Sequence, residues 1–330
     1  MVNWCHLKLL HVSCSEGDWW SFKNDLVFDS EPSFKLSTWN LSMDCCEWLG
    51  VTCEEAGHLT FPESLLTLSS LEALYLFRNK LSGPIRKDIR IASHNLSALD
   101  LSNNRLQGPL PEFIFKLPSI STLKLPGNNF TGKSSSFSSL AKLDTLRLAS
   151  CKMQKIPNLK NQASLRTLDL SDNRFKGEIP NWIWNVGNGS LGSLYLSKNK
   201  FSSLEKPYTF PYSFRVLDLS SNKLKGDIPV PPSEVFNVDF SNNKFGSSIP
   251  TDFGNALSFV VSFSISNSKV TGVIPGLINN ARFLRFLDLS SNSLAGPIPL
   301  DGNTFFVLLF GLKEKLPFLS LLFFPSTNFC

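Results

Sequence analysis

Four stretches of this chain are near copies of one another: LSALDLSNNRLQGPLP from Leu96, LRTLDLSDNRFKGEIP from Leu165, FRVLDLSSNKLKGDIP from Phe214 and LRFLDLSSNSLAGPIP from Leu284. Fainter copies open at Leu71, Ile120, Leu143, Leu191, Val235 and Val260, so ten units follow one another with starts 21 to 26 residues apart. Self-similarity at that period confines the chain to one kind of architecture. Each unit is a single supersecondary element that cannot bury its apolar face alone, so the units must stack into a solenoid. Ordering an isolated unit loses more conformational entropy than its few inward side chains return. Both ends of such a stack need caps.

The unit has a mechanical reading. In L-x-x-L-x-L the last two apolar residues flank an exposed one, so they share one face of a short strand. Strands of successive units then pair in parallel with those residues inward. The slot that follows holds Asn79, Asn104, Asn128, Cys151, Asn173, Asn199, Asn222, Asn243, Ser268 and Asn292. A carboxamide carries both donor and acceptor and can bond backbone groups where the chain leaves the strand. Ser268 can do part of this and Cys151 only weakly. The L-x-G-x-I-P that closes the unit predicts a glycine at a position crowded by its neighbour, with proline ending the segment. Pattern and period are those of the leucine-rich repeat. The expected fold is an α/β repeat solenoid, a right-handed superhelix with a concave parallel sheet over about residues 61–300.

Composition narrows the rest. At 330 residues the chain exceeds one ordinary core. Hydrophobic content of 42% with 18% charged residues excludes disorder, and 19 Gly with 20 Pro excludes a collagen-like chain. A net charge of +5, spread diffusely, makes no case for nucleic acid. Seven cysteines leave at least one thiol over.

Residues 14–60 depart from the repeat and read as the N-terminal cap, after an unassigned leader at 1–13. Trp19, Trp20, Phe22, Leu26 and Val27 are spaced for a short helix covering the first repeat. LSTWNLSMDCCEWLGVTC follows, with Trp39, Cys45, Cys46, Trp48, Gly50, Val51 and Cys53. A CCxWxGVxC cap before LxGxIP repeats resembles the extracellular region of plant leucine-rich-repeat receptors. LRLASCKMQKIPNLKNQASLRTLDLSDNRFKGEIPNWIWN, EKPYTFP and IPTDFGNALSFVVSFSISNSKVTGVIP narrow the resemblance to receptor-like proteins of the Verticillium-wilt-resistance type, over about residues 14–299. The resemblance implies disulfides Cys14–Cys45 and Cys46–Cys53. Zinc is the other reading of such a cluster, but no His lies beside it at zinc-finger spacing. Cys5, Cys151 and Cys330 have no evident partner, and Cys151 is expected to be buried in the asparagine slot rather than to act as a nucleophile.

Several features suggest chemistry and are better read as structure. Residues 127–134, GNNFTGKS, match a Walker A string, but Gly132 falls on the L-x-G position of a repeat and SSSFSSL is a poor helix start, so no nucleotide is expected. Asp100, Asp169, Asp218, Asp239 and Asp288 fill the exposed place between strand leucines, which puts them in an approximate row on the concave face about 5 Å apart where repeats adjoin. That row reads first as the commonest filling of its slot and second as an acidic track. Tyr75, Phe77, Arg78, Lys124, Arg147 and Tyr195 interrupt it with aromatic and basic groups, the kind that anchor a partner. With Asp169, Asp218 and Asp239 they are the candidate ligand face. His6, His11, His58 and His94 lie outside the ladder and no catalytic signature is present, so neither an enzyme nor a cofactor nor a metal is expected. Asn40, Asn95, Asn129 and Asn188 open N-x-S/T sequons, plausible glycosylation sites on an extracellular fold.

Members of the family carry a signal peptide, more repeats, a membrane span and a short tail without a kinase. Here MVNWCHLKLLHVSC has no apolar core of signal-peptide length. The passage from GHLT to FPESLLTLSS reads as a junction at which early repeats are absent. The tail 301–330 has apolar runs broken by Lys313, Glu314 and Lys315, too short to span a bilayer, and reads as an interfacial segment or as translated non-coding sequence, favouring the second. What the resemblance implies is a non-enzymatic recognition module at the plasma membrane, facing the cell exterior. It would bind a pathogen-derived or endogenous protein or peptide in plant defence and signal through a partner receptor kinase. The alternatives are a secreted inhibitor of fungal polygalacturonase, which should close with its own cysteine cap where this chain has only Cys330, and a degenerate fragment.

Overall fold

The computed structural model describes the two-residue strand Leu7–Lys8 and residues 60–299 apart from 132–136, 233, 252 and 298. The cap, its four cysteines and the tail lie outside the described residues. From Thr60 onward each repeat contributes one three-residue strand to a single parallel sheet: Ala73–Tyr75, Ala98–Asp100, Thr122–Lys124, Thr145–Arg147, Thr167–Asp169, Ser193–Tyr195, Val216–Asp218, Asn237–Asp239, Ser262–Ser264 and Phe286–Asp288. The strands lie side by side in chain order, and Leu7–Lys8 from the leader pairs in parallel with the first, Leu7 opposite Leu74.

Register is kept without slip from end to end. The central residue of every strand, from Leu74 and Leu99 to Phe263 and Leu287, faces its counterpart in the next repeat and is buried. A second inward column follows two residues later, from Leu76 and Leu101 to Ile265 and Leu289, and together these columns line one continuous core. The next repeat continues each column laterally, and far-side residues such as Leu106, Phe130, Phe175 and Phe201 belong to the same core, so the leucine columns need no partner sheet.

The far side is built differently from an α/β layer. L-x-G-x-I-P segments pair in parallel in four separate groups: Ser82–Pro84 with Arg105–Pro109 and Asn129–Thr131, Lys176–Ile179 with Lys200–Leu204, Lys225–Gly226 with Lys244–Gly246, and Thr271–Gly272 with Ser293–Leu294. Between them run single-turn 3-10 segments such as Glu112–Lys116 and Gly276–Asn280, and the described α-helix is only Phe253–Ala256. Intervals of 21 to 26 residues leave too little chain for a helix of several turns after two strands.

The glycine of L-x-G-x-I-P is left-handed from repeat to repeat, and crowding is added only at some: a Cβ would stand 3.1 Å from Ser248 Cβ at Gly272 and 3.0 Å from Val273 Cγ1 at Gly296. Gly177 and Gly226 have φ of 85° and 88°, and an added Cβ would meet nothing within 4 Å at either. Left-handed backbone, which β-carbon sterics penalise, is the reason. Close approach does operate at Gly254, where a Cβ would stand 1.7 Å from the carbonyl oxygen of Leu277.

Aromatic side chains close the core beyond the strands. Phe175 and Phe201 stack at 5.9 Å between neighbouring repeats. Trp184 packs edge-on against Phe210 at 4.9 Å and near Tyr208 and Phe214, so the longer segment after Leu204 folds back onto the solenoid through its rings. The Lys206–Pro207 peptide in that segment is cis. No helix among the described residues is long and apolar enough to cross a membrane.

Candidate functional site

The asparagine slot is the joint between repeats. Asn222 donates Nδ2 to the carbonyls of Leu196 in the preceding repeat at 3.0 Å and Leu219 in its own at 3.1 Å, while its Oδ1 accepts the N–H of Phe201 at 3.1 Å. Asn104, Asn128, Asn173, Asn199, Asn243 and Asn292 make the same bridge, the last to Ile265, Leu289 and Val270. Asn79, in the first repeat, bonds its own Leu76 and Phe77 carbonyls. Ser268 reaches back to the Phe240 carbonyl at 3.1 Å and accepts from Asn243 N–H. Cys151 is fully buried and its Sγ reaches only the Ala149 carbonyl, at 3.5 Å. Burial, with Asp169 nearby, pushes its thiol up to about 12, so it is held as the protonated, non-nucleophilic form.

The residue before the slot escapes a pattern reading. Arg78, Asn103, Gly127, Ser150, Asp172, Lys198, Ser221, Asn242, Asn267 and Ser291 all have positive φ. Each turns the chain out of the concave sheet, and the N–H of Arg78, for one, still reaches the Ser102 carbonyl of the next repeat at 2.8 Å. Where the slot is not asparagine the turn is prolonged: Lys152 after Cys151 and Lys269 after Ser268 are left-handed as well.

The sheet register sets the candidate ligand face. Tyr75, Asp100, Lys124, Arg147, Asp169, Tyr195, Asp218, Asp239, Ser264 and Asp288 stand opposite one another in one unbroken row. Phe77 lies two residues beyond that row, and Arg78 has already left the strand at φ 55°, so it is a rim residue rather than a member. Each Asp is tied down by the residue two places on. Ser102, Ser171, Ser220, Ser241 and Ser290 donate backbone N–H to the carboxylates of Asp100, Asp169, Asp218, Asp239 and Asp288 at 2.9–3.1 Å. The recurring D-L-S triplet carries this signal in the sequence.

Electrostatics vary along the row. Lys124 pairs with the buried carboxylate of Asp100 at 3.6 Å. Burial raises Asp239, outweighing its bonds from Ser241, and Asp218 and Asp288 push the same way. At Asp288 burial also pushes upward, but hydrogen bonds from Ser290, Ser266 and Ser264 win and lower it. No group of three or more His, Cys, Asp or Glu among the described residues is placed to hold a metal.

The described part of the Walker-like string is strand: Asn129–Thr131 pairs with Gln107–Pro109, and Gly127 fills the left-handed position. Gly132, Lys133 and Ser134 lie outside the described residues. Asn95, Asn129 and Asn188 are exposed, away from the row, and Asn129 accepts a bond from Lys152. Asn40 lies outside the described residues.

A solenoid with a long parallel sheet, asparagine joints and a side-chain row on its inner face is a leucine-rich-repeat ectodomain. Residues 94–153, and again 164–186, 213–234 and 283–305, match leucine rich repeat families, and 20–54 match the leucine rich repeat N-terminal domain. Receptor-like protein 54 of Arabidopsis thaliana is 32% identical over 260 residues, 71% of this chain and 29% of that protein. The fold matches the plant peptide hormone receptor RGFR1 in complex with RGF2, with a TM-score of 0.60 and 27% identity, over 71% of this chain and 38% of that one. It also matches PEPR1–AtPEP1 at 0.59 and 26%, over 81% and 40%. The chain is a homologue of the plant leucine-rich-repeat receptor-like proteins, non-enzymatic as they are, and spans less than a third of the length of receptor-like protein 54 and of other such relatives.

Proposed function

We propose that the chain is the recognition part of an extracellular receptor-like protein of plant defence. It presents the concave sheet to a pathogen-derived or endogenous peptide or protein at the plasma membrane and depends on a partner receptor kinase for output. The observation that carries this reading is the unbroken row from Tyr75 to Asp288, in which aromatic and charged side chains stand in strict register on a rigid sheet. Homology to receptor-like protein 54 and likeness to two receptors solved with RGF2 and AtPEP1 support it. Such a face suits a partner long enough to contact several repeats at once.

The test is capture of peptides from the extracellular fluid of infected and uninfected leaves on the immobilised chain, read by mass spectrometry. Thr167→Trp or Tyr195→Ala on the concave face is expected to abolish the capture, and Lys200→Glu on the far side to leave it intact. Capture undiminished by both concave variants would overturn the reading. Kinase dependence is checked separately, by ligand-induced co-precipitation with a receptor kinase from leaf membranes.

A further inference from the structure

The concave face carries its charge in one file. The strand positions before the row (Ala73, Ala98, Thr122, Thr145, Thr167, Ser193, Val216, Asn237, Ser262, Phe286) hold no ionisable group. Nor do the positions two places beyond it, from Phe77 and Ser102 to Ser266 and Ser290. Arginines do border the sheet at the lip: Arg166 pairs with Asp144 at 3.5 Å, and Arg215 with Glu234 at 3.4 Å and over the Phe236 ring, while Arg285 there and Arg78 on the other rim are exposed and enter no ion pair among the described residues. The file is not uniform along its length. Its first part contains Asp100, neutralised by Lys124, and then Arg147, which is exposed. Beyond Arg147 come Asp169, Asp218, Asp239 and Asp288, with Tyr195 and Ser264 between them. Arg147 and these four carboxylates enter no ion pair among the described residues.

We infer that the concave face takes an extended peptide of fixed charge polarity, with basic side chains over Asp218, Asp239 and Asp288 and an acidic group at Arg147. The inference rests on the concave-face reading above and adds to it the chemistry and orientation of the ligand. Strand spacing of about 4.8 Å makes the six steps from Arg147 to Asp288 about 29 Å long, the reach of about nine extended residues. Thr167, Ser193 and Ser262 beside the file leave room for a backbone, Phe286 offers an apolar contact at its far end, and the carboxylates, already anchored by serine N–H groups, need no reordering to meet cations. Burial, with Asp218 and Asp288 adding to it, opposes the ionisation of Asp239, and a cation seated there relieves that opposition.

The experiment titrates the full chain with capped, fluorescent nonapeptides of one composition. Glu-Glu-Ser-Gly-Ser-Lys-Ser-Lys-Lys and its reverse are compared with a version in which the charges alternate. Both block orders are used because the file fixes the polarity of charge, not the direction of the peptide chain. One block order is expected to bind about tenfold tighter than the alternating peptide. Asp218→Asn with Asp239→Asn should erase that preference and flatten its salt dependence, and Arg147→Gln should reduce it by about threefold. These asparagines keep an oxygen for the Ser220 and Ser241 N–H groups, and thermal melts confirm folding. If the peptides bind, are blocked by Thr167→Trp, and ignore charge order or the neutralised carboxylates, the polarity is wrong while the concave face stands. Binding that survives Thr167→Trp overturns both. Failure of every probe to bind overturns the polarity.

Discussion

Asn222 and Cys151 occupy the same slot, and the difference between them measures what the slot does. The carboxamide of Asn222 satisfies two carbonyls and one N–H, all out of reach of water, and ties repeat seven to repeat six. Asn222→Ala strands those groups and is expected to lower the unfolding free energy by about 2–4 kcal/mol, read by urea denaturation. Cys151→Ser removes little more than a 3.5 Å contact, and its effect should stay within about 1 kcal/mol at neutral pH. The thiol also gives the fold an alkaline limit. Its value rises from 9.0 to about 12 on folding, so the stability it contributes is complete below pH 9 and drains away as the pH climbs through that window. Stability curves of the native chain and Cys151→Ser should therefore change their separation only above pH 9. The slot was legible in the sequence because its chemistry admits few residues. The left-handed position before it was not. Its demand falls on the backbone, and Arg78, Ser150, Asp172 and Lys198 meet that demand as Asn103 and Gly127 do, leaving no residue signature.

At the scale of the element, two glycines that look alike in sequence serve opposite purposes. Gly177 is required by its φ of 85° with open space around it, so Gly177→Ala should cost about 1–2 kcal/mol and Gly177→Asn less. Gly254 has no such dihedral, but its Cα faces the Leu277 carbonyl across the contact between the Phe253–Ala256 helix and the Gly276–Asn280 turn. Gly254→Ala must push those elements apart, and a loss of about 3 kcal/mol or more is expected, with chemical denaturation as the measurement. The concave strands were legible because L-x-x-L-x-L states both their periodicity and their inward face. The far side was not. Its 3-10 segments run three to five residues, and the nine of Asn181–Gly189 are broken by a kink, too short for a 3.6-residue period to emerge, so the sequence marks the far side of the α/β repeat solenoid only by its L-x-G-x-I-P segments.

Across the whole molecule, the concave charge file sets a term in stability that no single repeat contains. Asp239 is raised by burial and by Asp218 and Asp288, contributed by other repeats, so its ionised form opposes folding. A raised carboxyl stabilises the folded chain when protonated and loses that contribution as the pH rises through its folded value. Asp239→Asn is therefore expected to raise the Tm at pH 7, with the gain closing as the pH falls through the raised folded value toward the carboxylate's ordinary value of about 4, and gone below it. Scanning calorimetry across that range checks it. The row itself could be anticipated from the sequence, since register follows once every repeat offers the same two inward positions. Its polarity could not be weighed there, because the Lys124–Asp100 pair, which cancels the first carboxylate of the row, forms only when the strands are side by side.

The two sides of the solenoid are joined unequally. On the inner side ten repeat strands form one uninterrupted ladder, whereas the outer strands close into four separate groups. A structure built this way bends as a ribbed strip does, with its stiff line along the inner surface and its slack between the ribs. Between the outer groups only single links remain among the described residues, such as Lys223 N–H to the Phe201 carbonyl and the Ser248–Thr271 bridge, so a change of curvature would fall there first. The row from Tyr75 to Asp288 lies on the continuously bonded side, so a partner that reads its spacing would meet the same ruler as the outer side flexed.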